Sequence, residues 1–115
     1  MSTPQNRLSP ATVREVSACM CDHGDVCSSF APGHALHLIQ ARLASATPSD
    51  WTDAVVEHAD AANGRLVVRT LDGETHDLWN RAGAALEAPV GTPVALHGRY
   101  GVLAVGRTRF NVARV

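Results

Sequence analysis

Cys19, Cys21 and Cys27 are the only cysteines in this 115-residue chain, and His23, His34 and His37, half of its six histidines, stand among them. Thiolates and imidazoles crowded into twenty residues are the donor set of zinc, which takes four nitrogen or sulfur ligands in a tetrahedron. In an extended segment, positions two apart point to the same side, so Cys19 and Cys21 can face one ion. Asp22, Gly24, Asp25, Ser28 and Ser29 are turn formers that let the chain double back, and Pro32-Gly33 then delivers His34. The fourth place is contested. Thiolate is the softer and stronger ligand, which favours Cys27; His23 competes for it, and His37 is a further donor nearby. The expected metal set is Cys19, Cys21, Cys27 and His34, with His23 as the competing fourth ligand. An odd number of cysteines cannot be fully paired within one chain, and in a reducing compartment such clusters bind metal more often than they form disulfides.

A catalytic zinc keeps one coordination position open beside a general base. Here five or six donors compete for one ion, which favours a closed, structural site. The signatures H-x-E…P-C-x-x-C and H-E-x-x-H are missing, as are a P-loop and G-x-G-x-x-G. His76-Asp77 could form an acid–base pair, but no nucleophile motif accompanies it. His58, His76 and His97 fall on separate predicted strands, and Trp51 and Trp79 are expected as core or rim packing.

The stretch "CMCDHG…FAPGHA" resembles a zinc-knuckle pattern of small bacterial and phage proteins, C-x-C-G-C-G followed by a phenylalanine and P-G-H-D. Cys19, Cys21, Gly24, Phe30, Pro32, Gly33 and His34 match. Asp22, His23 and Ala35 depart from it, His23 standing where the third cysteine would be. The resemblance implies a metal-bound knuckle over residues 19–35 and shifts the contest toward His23. A weaker likeness is to a [2Fe–2S] family with three cysteines and one histidine: Cys19, Cys21 and His34 have its spacing, but its C-D-G-x-H signature is absent and Cys27 comes too early.

The elements that must position these donors follow from periodicity. Residues 1–10 form a loose polar arm, and 12–16 an extended lead-in. Leu36, Ile39 and Leu43 repeat at i, i+3, i+7, which predicts a short amphipathic helix over 34–45 with that stripe inward. Strands are predicted at 53–59, 65–71, 74–80, 93–98, 102–105 and 108–114, with turns at Asn63-Gly64, Asp72-Gly73 and Gly106-Arg107. Residues 81–90 suit a single helical turn. The expected fold is mainly β: a small antiparallel SH3-like or OB-like barrel over 51–115, preceded by a zinc knuckle and one short helix at 11–46.

Hydrophobic residues make up 45% of the chain and charged ones 18%, so the core is modest and a metal staple would help. All ten basic residues are arginine, a bias expected of a GC-rich bacterial genome or its phage. No apolar run approaches the roughly eighteen residues of a membrane span; the expected setting is cytoplasmic. Formal net charge is −1, but it is uneven: 44–90 carry an acidic excess, whereas 91–115 carry four arginines and no acid. Arg107 and Arg109 would face outward with Asn111, and Arg99 would sit in a neighbouring turn. Arg99, Arg107 and Arg109 are the expected contacts for nucleic acid or a protein partner. The composite expectation is a non-enzymatic, zinc-stabilised binding or adaptor module. Its rivals are a small zinc-dependent hydrolase and a subunit of a larger phage-type assembly whose barrel edges pair between chains.

Overall fold

The computed structural model describes residues 31–115. Seven antiparallel strands form a nearly closed barrel: β1 (Trp51–Asp60), β2 (Arg65–Thr70), β3 (Thr75–Trp79), β4 (Pro93–His97), β5 (Val102–Val105), β6 (Thr108–Asn111) and β7 (Ala113–Arg114). Their order is β6-β5-β4-β1-β2-β3-β7. Two meanders, β1–β3 and β4–β6, are joined edge to edge by the β1–β4 pair. One run of chain supplies both sheet edges. It leaves β5 as β6, crosses at Val112, and pairs with β3 as β7.

Period-2 alternation decides which side chains go inside. Ala54, Val56, Leu66, Val68, Leu78, Val94, Leu96, Leu103, Val105, Phe110 and Val112 fill the barrel, with Ala84, Ala85 and Ala88 against them. The three alanines come from α2 (Ala84–Glu87) and the residue capping it, the single turn expected within 81–90. The turn residues act as their types require. Gly64 takes φ +79°, and a Cβ there would run into the Asn80 carbonyl, so only glycine closes the β1–β2 connection.

A second layer forms outside the barrel. Trp51, His97, Val102 and Asn111 are register partners across β1, β4, β5 and β6, and so share the outer face. Residues 31–47, including α1 (Leu38–Ser45), cover that row, and His97 and Val102 are fully buried.

The helix departs from expectation in two ways. It begins at Leu38 rather than residue 34, because Ala31–His34 closes a turn and His37 caps the first helical residues. Most of the expected apolar stripe also does not face the barrel: Leu36 is half-buried, but Ile39 is 60% exposed and Leu43 40%, as is the adjacent Leu38 at 65%, while Ala44 is buried. The wall beneath presents turn carbonyls rather than a hydrophobic groove. Gln40 satisfies those of Tyr100 and Gly101, and Ala44 lets the helix backbone approach closely enough for Trp51 Nε1 to donate to its carbonyl at 3.0 Å.

Candidate functional site

The Pro32-Gly33-His34 turn is fastened to the barrel wall by a small set of side chains. Gly33 donates its N–H to Asn111 Oδ1 at 3.3 Å, and its carbonyl accepts from the Arg81 N–H at 2.7 Å. Asn111 Nδ2 donates to the carbonyls of Ala31 and Ala35, both at 3.0 Å. Trp79 lies directly under Gly33. With φ +87° and no room for a Cβ against the indole, this position admits only glycine. The His34 ring meets Trp79 edge-on, 5.2 Å between centroids at 72°. His34 is therefore delivered at a defined place on the outside of the barrel.

Asn111 makes this possible, and the sequence reading put it on the solvent side. Alternation does place it on the outer face, but residues 31–40 cover that face, and Asn111 is 3% exposed. Asn80 supports it from behind. Its Nδ2 donates to the Asn111 carbonyl at 2.7 Å, while its Oδ1 accepts from the Ala82 and Ala84 N–H groups. Nothing in local sequence marks Asn111, since its partners lie far away along the chain, whereas Asn80 also makes a local turn with Ala82 and Ala84.

Cys19, Cys21, His23 and Cys27 lie outside the described residues, and His34 is the one member of the expected ligand set within them. Among the described residues no three His, Cys, Asp or Glu side chains gather in a metal-binding group. His37 is committed to the helix: its Nδ1 accepts from the Ile39 N–H at 3.1 Å. The hydrogen of the neutral ring then sits on Nε2, which cannot ligate a metal while the cap stands. His58 is exposed, His76 lies beside Glu74 at 3.3 Å, and His97 is buried, so these three stay apart. His97 completes its own bonding, with Nε2 2.7 Å from Thr47 Oγ1 and Nδ1 accepting from the Tyr100 N–H at 3.2 Å.

The arginines divide by location. Arg65 and Arg69, in the acidic middle of the chain, pair with Asp77 and Glu57; the hydrogen bond that Arg69 donates to Glu57, then the charge of that carboxylate, raises the Arg69 pKa. The C-terminal arginines lack such neighbours. Arg99 reaches Asp50 only at 3.9 Å, and no carboxylate among the described residues pairs with Arg107, Arg109 or Arg114. Arg99 stands in the β4–β5 turn and Arg107 in the β5–β6 turn, at opposite ends of β5. Arg109 lies over the Trp51 ring at 5.2 Å and donates to Ser45 Oγ at 2.6 Å. Arg99 lies over Tyr100 at 5.3 Å. Arg114 was not singled out from sequence, although it belongs to the same acid-free segment, and neither was Tyr100, the only tyrosine.

No family model matches the chain, and no curated protein or solved structure matches it. Its function has to be argued from these residues.

Proposed function

We propose that the protein is a zinc-stabilised binding module that contacts nucleic acid through the arginines of residues 91–115. The observation that carries the reading is the missing charge compensation among the described residues: four arginines, no acid in their segment, and one carboxylate at 3.9 Å from one of them. Two of the four rest on aromatic rings, which holds a guanidinium in place while leaving its edge for phosphate. Barrels of the OB type use strand faces and loops in this way, with grooves of positive charge beside aromatics, and an OB-like use is the one proposed. The ligands Cys19, Cys21 and His34, with Cys27 or His23, would hold a structural zinc. What supports this is the fixed presentation of His34, since an anchored ligand has less freedom to lose on binding a metal.

Anisotropy titration of labelled single- and double-stranded oligonucleotides over a salt series tests the nucleic-acid reading. Weak, sequence-tolerant binding that falls steeply with salt is expected, each phosphate contact contributing about 0.7 to the log–log slope on single strands and about 0.9 on duplex. Absence of affinity at low salt would sink this reading and leave the arginines as a surface for an acidic protein partner. Elemental analysis of purified protein should find one zinc per chain, colourless; visible absorbance with iron and sulfide would replace zinc by a cluster.

A further inference from the structure

Arg114 extends from β7 across the β4–β5 turn. Its guanidinium lies over Gly98, where a Cβ would stand 2.8 Å from Nη2. Arg99 is the next residue after Gly98, so two arginines from opposite sides of the closure line one cleft of about 630 Å³, together with Tyr100, Gln40 and His37. Among the described residues no acidic side chain lines it. The single carboxylate near Arg99 is at 3.9 Å, beyond hydrogen-bond length, and Arg114 has none among the described residues. Two like charges share a wall without a counter-charge between them, and an anion seated there removes that repulsion. Arg99 is also held in direction. It lies over the Tyr100 ring, which stacks at 26° on the fully buried His97. A guanidinium fixed in this way loses less freedom when it grips a phosphate bidentately. Two other concavities among the described residues lack this combination. One, at Trp79 and Asn63, holds only Arg81; another, at Val55 and Ala95, holds no arginine and includes Asp53.

We propose that this cleft is a phosphate-binding site with Arg99 and Arg114 as its charged ligands. The choice of a single-strand phosphodiester as its occupant rests on the nucleic-acid reading above. Arg107 and Arg109 are then secondary contacts.

The test uses the full chain with ¹⁵N-labelled arginine and glycine, titrated separately with inorganic phosphate and with an oligothymidylate. Three proteins are compared: the parent, Arg99→Gln/Arg114→Gln, and Arg107→Gln/Arg109→Gln. Both ligands are expected to shift the side-chain Nε signals of Arg99 and Arg114 and the Gly98 amide. The first double variant should lose these responses and lower the oligonucleotide salt slope by roughly 1.4, two contacts at about 0.7 each; the second should change it less. Phosphate shifts at the cleft without oligonucleotide binding would uphold the site and remove the nucleic-acid occupant. Oligonucleotide binding that survives the first double variant unchanged and is lost in the second would overturn the site while leaving the nucleic-acid reading intact. No response of the cleft to either ligand overturns the site. Arg99, Arg107, Arg109 and Arg114 are all exposed, so both variants should fold. If the first does not, Arg114→Gln alone replaces it, with the same criteria applied to the Arg99 and Gly98 signals; if the second does not, Arg107→Gln alone replaces it.

Discussion

A single amide side chain links the expected metal turn to the barrel. Asn111 accepts from Gly33 and Gln40 and donates to Ala31 and Ala35. Asn111→Ala would strand buried backbone groups, each costing about 1–3 kcal/mol when left unpaired. The expected loss is therefore about 2–4 kcal/mol in urea unfolding, together with weaker zinc retention in a chelator competition. Unchanged stability would mean that the turn is held by other contacts. The contest for the fourth ligand is also decided by single residues. If Cys27 holds the ion, Cys27→Ser lowers zinc content and His23→Ala does not. If His23 holds it, the reverse is expected, and Cys27 reacts with thiol reagents in the folded protein. His37 is a poor substitute in either case, because its Nδ1 caps α1.

The elements explain why hydrophobic periodicity found the helix but not its buried face. A stripe of leucine and isoleucine seeks a groove, but the wall beneath α1 is a row of strand residues edged by turn carbonyls, on which an alanine and a glutamine fit. Ile39→Ala, at 60% exposure, is expected to shift stability by no more than about 0.5 kcal/mol. Ala44→Leu should cost about 1–3 kcal/mol by overpacking against Trp51, whose indole reaches the Ala44 carbonyl. Thermal melts of the two variants check this, and the opposite ranking would restore the inward stripe. The strands behaved differently: Val102–Val105 was legible to the residue, because a short apolar run bounded by glycines is a local signal. The predicted strand at 108–114 is instead split at Val112, where the chain crosses between sheet edges.

At the scale of the molecule, the barrel core of the described residues lies within 54–112, downstream of every expected metal ligand. Structural zinc can contribute about 10–16 kcal/mol of apparent binding energy in small domains, but here it would act on the N-terminal segment and its docking. Chelation is therefore expected to leave the strand signal of far-UV circular dichroism in place while altering the near-UV signal of Trp79, which lies under Gly33 and beside His34. Global unfolding on chelation would show that the barrel depends on the ion. The charge distribution belongs to the same scale. Arg65 and Arg69 of the middle third pair within it, and the arginines of the C-terminal segment remain largely uncompensated among the described residues, so a net charge of −1 coexists with a local excess of positive charge.

Composition and periodicity by themselves determined a mainly β chain, most strand boundaries, the turns at Asn63-Gly64 and Asp72-Gly73, and the candidate ligand residues, all of which follow from local backbone preferences and side-chain chemistry. Tertiary structure alone decided which face of α1 is buried, that Asn111 fastens the turn rather than facing water, and that Arg114 joins Arg99 in one cleft. Each of these depends on groups brought together from distant parts of the chain. Gly33 and Asn111 are 78 positions apart and meet only because the barrel closes; no local pattern carries that information.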